Sequence, residues 1–128
     1  MSNLNFAKMY PVGEASETHK PGVKSYSQGT TGTIDLSDVI EDEIYIAMSS
    51  ASATAFNIKN IQPGMTLLIE QTGATAADHV CTFTDITVNV AGNNIATFDA
   101  IDESLMLFAL TATRMIVLSN NGLVVLST

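Results

Sequence analysis

From Thr31 onward, apolar and polar positions alternate in short runs. Thr33-Ile34-Asp35-Leu36 has the period of two that marks a half-buried strand. In Glu43-Ile44-Tyr45-Ile46-Ala47-Met48, the residues Ile44, Ile46 and Met48 share one face. Ala55-Phe56-Asn57-Ile58 predicts a third strand, residues 65–71 a fourth and residues 79–83 a fifth. Gln62-Pro63-Gly64 predicts a turn, because Pro fixes its own φ and Gly accepts a positive one. Thr87 to Val90 and Ile95 to Phe98 flank Ala91-Gly92-Asn93-Asn94, which predicts a hairpin. Arg114 to Leu118 and Leu123 to Leu126 flank Ser119-Asn120-Asn121-Gly122, and the Asn-Gly pair predicts a second hairpin.

No helix longer than one turn is predicted. The small-residue stretch 47–55 is filled with Ser and Thr, whose local hydrogen bonds compete with helix. No internal repeat of 20–50 residues is visible, which argues against a solenoid or a propeller. Many short strands with Gly and Asn turns predict an all-β fold, an antiparallel sandwich or barrel. Leu105 to Leu110 and Met115 to Leu118 are apolar at both alternating positions, so both faces of those strands want cover. One face is expected in the core. The other is expected at a subunit contact, with Leu105, Leu107, Met115 and Val117 as interface candidates.

Residues 1–30 follow neither period. They hold Pro11, Gly13, Pro21, Gly22 and Gly29 among Ser, Thr and Lys, and are expected to form an extended arm before a domain at 31–128. Phe6, Met9, Tyr10, Val23 and Tyr26 are scattered through the arm. They suit anchors on a partner, the alternative being an arm that folds back on its own domain.

Charge sharpens this division. The net charge is −8. Residues 1–30 hold Lys8, Lys20 and Lys24 against Glu14 and Glu17, whereas Lys59 and Arg114 alone offset every remaining acid. A mildly basic arm on an acidic body suits an acidic neighbour. The acidic balance argues against unselective nucleic-acid binding and against anionic membranes. There is one cysteine, Cys81, so no internal disulfide is expected. No signal peptide and no membrane span is expected either.

Catalytic equipment is sparse. His19 lies in the arm, a poor place for fixed geometry. His79 and Cys81 sit at i and i+2 beside Asp78, and these are metal-ligand types. A structural zinc site wants four ligands, so the competing reading places Cys81 in the core and His79 at a strand edge. The acids at 38–43 lack the spacing of a calcium loop. No Gly-x-Ser-x-Gly elbow or phosphate-cradling Gly loop occurs. No cofactor and no enzymatic activity is expected.

Some longer stretches are more distinctive. Asn57-Ile58-Lys59-Asn60-Ile61-Gln62-Pro63-Gly64 leads into an apolar strand ending Gln71-Thr72-Gly73. His79-Val80-Cys81-Thr82-Phe83, Asn93-Asn94-Ile95-Ala96-Thr97-Phe98-Asp99-Ala100 and a final segment through Asn121-Gly122 follow. This order resembles small β-sandwich domains of tailed-bacteriophage virion proteins: capsid decoration proteins, head fibres and some tail-fibre tips. The resemblance covers residues 31–127. It implies a jelly-roll-like sandwich, a homotrimer, on the capsid exterior of a virion assembled in the host cytoplasm. The short arm, without a stalk repeat, favours a decoration (cement) protein bound to the major capsid protein. Phe6, Lys8, Met9, Tyr10, Lys20, Val23, Lys24 and Tyr26 are then the candidate capsid contacts. The alternative is a head-fibre or tail-fibre tip that binds a host-surface glycan or receptor.

Overall fold

A computed structural model describes residues 19–28, 31–73, 78–89 and 92–128. The described residues form eleven strands and no helix. They are β1 (Lys20–Gln28), β2 (Gly32–Asp35), β3 (Glu41–Met48), β4 (Thr54–Lys59), β5 (Thr66–Gln71) and β6 (His79–Phe83). The chain continues through β7 (Thr87–Val88), β8 (Ile95–Phe98), β9 (Ser104–Thr111), β10 (Arg114–Asn121) and β11 (Val125–Ser127). Sheet A has the order β1-β3-β5-β9-β10-β7, and sheet B the order β11-β8-β6-β4-β2.

The fold is all-β, but the expected antiparallel jelly roll is not its arrangement. The chain alternates between sheets from β1 to β6, and each return lays a strand parallel to its predecessor. In sheet A, β1, β3 and β5 pair in parallel; in sheet B, β2, β4 and β6 do so. This is the winding of a β-solenoid with three coils. Strands β8 to β11 then close it with antiparallel pairings.

Stacking of like residues explains why the coils hold. Parallel partners point to the same side, so each inward position adds to a column. Ile34, Ile58 and Phe83 form one column in sheet B, and Phe56, Cys81 and Ala96 another. In sheet A, Ile44–Leu67–Leu107 and Ile46–Ile69–Leu105 run across three strands. All are buried in one apolar core between the sheets. The coil corners repeat as well. Asn60 and Asp85 follow β4 and β6 with φ of 62° and 60°, and each is followed by a buried isoleucine, Ile61 and Ile86. Asn and Asp are the non-glycine residues that tolerate this left-handed region best.

Three sequence expectations change. First, residues 20–28, expected in the arm, form β1, so the ordered domain begins before residue 31. Second, neither predicted hairpin closes. β7 pairs with β10 in sheet A while β8 pairs with β6 and β11 in sheet B, and among the described residues a single bridge, Val88 to Asn93, joins the two arms. The Asn-Gly loop carries the chain from sheet A to sheet B. There the Asn120 amide imitates a strand partner, donating to Val124 O and accepting from Val124 N at 2.8 Å each. The tight hairpin joins β9 to β10 instead, through Ala112-Thr113. Third, Leu105, Leu107 and Met115 lie fully inside the core, and Val117 packs partly against it. They are unavailable to a subunit contact. The outward side of the same two strands carries Met106, Phe108, Ile116 and Leu118, because the coils fill the opposite register.

β1 is the sheet edge at the first coil. It carries Pro21, a register shift between Lys20 and Val23, and Lys24 opposite inward-facing Ile44. Proline, a bulge and an inward-directed charge all discourage a foreign strand from adding to an edge. The Lys24 ammonium instead lies 6.0 Å from the Tyr26 ring centroid, at the outer limit of a cation–π contact.

Candidate functional site

Phe6, Lys8, Met9 and Tyr10 lie outside the described residues. The remaining contact candidates are brought together on β1. Lys20, Val23 and Lys24 are exposed, Val23 by 55%, and Tyr26 is half-buried against the core. Burial, then the carboxylates of Glu41 and Asp35, hold the Tyr26 phenol above its ordinary pKa, so it stays a neutral donor.

The start of β1 is tethered by Gln62, a residue predicted only to lie in a turn. His19 Nε2 donates to Gln62 Oε1 at 3.2 Å, and Gln62 Nε2 donates to Leu36 O and Val39 O at 2.9 Å each. One amide therefore joins the chain's approach to β1, the corner after β2 and the corner after β4.

His79 and Cys81 both point inward and are fully buried. His79 faces Phe98 across the sheet rather than standing at a strand edge. Its Nδ1 shares a 2.8 Å hydrogen bond with the Thr54 hydroxyl, and its Nε2 has no hydrogen-bond partner. Burial lowers the imidazole pKa, with the Asp78 carboxylate opposing weakly. Burial alone raises the Cys81 thiol, which keeps it protonated and inert. Among the described residues, no three His, Cys, Asp or Glu side chains converge on a point where a metal could bind.

A pH dependence follows. The folded state disfavours imidazolium, so the unfolded chain binds the proton first as pH falls below the ordinary value of 6.5. Stability is full above that pH and declines until folded His79 itself titrates. The thermal midpoint is expected to fall between ~pH 7.5 and ~pH 5.5, and His79→Gln to remove most of that slope.

Two surfaces have features beyond ordinary solvation. The first is a cleft of about 460 Å³ at the coil corners, lined by Ser37, Lys59, Asn60, Thr84, Asp85 and Thr113 among others. Beside it, Asp35 accepts from Asn60 Nδ2 at 2.8 Å and from Ser37 N at 3.0 Å, with Lys59 Nζ 3.9 Å away. These hydrogen bonds, led by that of Asn60, hold its carboxyl at a pKa of about 2.

The second surface is the outward face of sheet A. Tyr45, Leu68 and Met106 lie in one cross-strand row, and Val23, Glu43, Thr66, Phe108 and Ile116 in the next. A groove of about 360 Å³ runs between Val23 and Met106 over Tyr45 and Leu68. The Tyr45 hydroxyl donates to Glu70 Oε1 at 2.7 Å, so the carboxylate at the margin is partnered within the face. That bond, with burial behind it, raises the Tyr45 pKa.

Comparison of the chain with protein-family models, with characterised proteins and with solved structures returns no match. The class is therefore defined by the fold alone: an all-β domain wound from three parallel coils and closed by antiparallel strands. No helix among the described residues is long and apolar enough to cross a membrane.

Proposed function

We propose that this chain is a non-enzymatic structural virion protein, one that decorates the outer surface of a phage head by binding the major capsid protein. The phage setting rests on the order of turns and strands in the sequence. The observation that carries the contact is the surface of β1, where Lys20, Val23 and Lys24 are exposed on a strand that continues directly from residues 1–18. Phe6, Met9 and Tyr10 supply apolar anchors in that segment, and the three lysines steer it toward acidic surface. In a homotrimer, several such contacts act at once through effective concentration, so weak single contacts sum to firm attachment.

Removing residues 1–18 is expected to lower particle occupancy at least tenfold, since each subunit loses its linked contact. Lys20→Glu with Lys24→Glu is expected to weaken attachment in a salt-dependent way. Cosedimentation with undecorated heads measures both, and full occupancy by the shortened protein would sink the proposal.

The cleft at the coil corners, with Lys59, Asn60 and Asp85 in its lining, favours a second reading, a fibre-tip module that binds a host-surface glycan. Retention on a glycan array, lost in Asp85→Ala, distinguishes it.

A further inference from the structure

We infer that the outward face of sheet A is a self-association surface whose occupant is a second copy of this chain. The inference rests on the homo-oligomeric part of the proposed function and adds the surface that carries it.

The face is apolar where a solvated sheet face would be polar. Antiparallel and mixed sheets with one wet side alternate apolar-in with polar-out. Here both registers of Leu105 to Leu110 and of Met115 to Leu118 are apolar. Leu105, Leu107 and Met115 fill the core, and Met106, Phe108 and Ile116 continue outward into Leu68 and Tyr45. Leu118 is 51% exposed and Leu110 43%. Four strands spaced about 4.8 Å, each giving about five residues at ~3.3 Å, outline a plate of about 300 Å² in plan. That is within the range of the largest patch a monomer leaves uncovered. A stable interface of roughly 800 Å² per partner then also takes in the polar margins of the face.

Charge selects a second copy as the occupant. The β1–β3 side of the face carries Glu43, and the β10 side carries Arg114, which alternates outward with buried Met115. A rotation axis parallel to the strands sets the β3 side of one copy against the β10 side of the next. This holds for a two-fold and for a cyclic three-fold alike. Either symmetry brings Glu43 toward Arg114 of the neighbour, at the rim of an apolar contact. The Glu70 carboxylate at the margin is already held by the Tyr45 hydroxyl and brings no unpartnered acid into the interface.

Sedimentation velocity of the full chain over a concentration series tests this. The full chain is expected to associate, and Leu68→Glu and Phe108→Glu to yield monomers whose far-ultraviolet circular dichroism is unchanged. Glu43→Arg and Arg114→Glu are each expected to raise the self-association Kd by about fivefold, and the double exchange to restore it. A full chain that stays monomeric at its highest soluble concentration overturns the inference. So does an oligomer indifferent to the two glutamate substitutions, or one whose charge exchange restores nothing. Association appearing only after residues 1–18 are removed also overturns it, because that segment is then the occupant. Oligomers that fail to bind phage heads would refute the decoration role and leave the self-association surface standing.

Discussion

Replacing Phe83 with alanine is expected to lower the thermal midpoint by about 10–20 °C, the shift that a loss of about 3–5 kcal/mol produces in a domain of this length. Phe83 is among the largest fully buried side chains and ends the column above Ile34 and Ile58. The ring is held from both sides of its strand. Phe83 N donates to Asn94 O at 2.8 Å, and Thr84 N donates to Ile58 O at 2.9 Å. The backbone therefore cannot collapse into the space the ring leaves, and the cavity term remains near its full size. Phe83→Leu, which keeps most of the volume, is expected to cost less than half as much. Differential scanning calorimetry of the two variants separates the cavity contribution from a general intolerance of change at this strand.

Gly73→Ala is the second substitution with a large expected effect, and it acts through backbone. A Cβ at Gly73 would stand 2.6 Å from Ser50 O and 2.9 Å from Ser49 O. Both are main-chain atoms in the corner between β3 and β4, so neither can rotate away. The residues that must move are also hydrogen-bonded: Thr72 N and Gly73 N both donate to Met48 O, at 2.9 and 3.1 Å. Relief of the clash strains or breaks those bonds, and the combined cost is about 2–4 kcal/mol. Urea unfolding is expected to show a lower midpoint with an unchanged slope. Gly92→Ala is the comparison. Its Cβ meets nothing within 4 Å, so only the strain of a φ of +79° is added.

The strand positions were largely legible because burial on one side writes a period of two into the residues. The runs at Ile44, Ile46 and Met48, and at Leu105, Leu107 and Ala109, report this directly. Their connection was not legible, because alternation is the same for parallel and antiparallel partners. The coil repeat hid for a related reason. Phe56-Asn57-Ile58-Lys59-Asn60-Ile61 and Cys81-Thr82-Phe83-Thr84-Asp85-Ile86 share three buried positions and the left-handed corner, but only the final isoleucine in identity. A stacked column asks only for an apolar residue of suitable volume, so Phe, Ile and Cys exchange freely. β1 escaped notice because Pro21, Gly22 and Lys24 are edge-strand residues that do not alternate. The interface candidates failed by one residue. Either face of Leu105 to Leu110 could have been the inner one, and only the positions of β5 and the facing sheet decide between them. Buried His79 and the Gln62 tether left no sequence signal, since their roles depend on Thr54, Leu36 and Val39, which are distant in the chain.

The winding of the first six strands has a consequence for how such a protein changes length. A coil is closed on itself apart from its ladders to the coils before and after. Duplicating one coil in register would therefore lengthen the stack by one strand spacing, about 4.8 Å, without disturbing its ends. The antiparallel meetings of β5 with β9 and of β6 with β8 set where the count stops, because there the two ladders reverse. Reach along the coil axis is thus a quantity adjustable in whole steps, independent of whatever the outer faces bind.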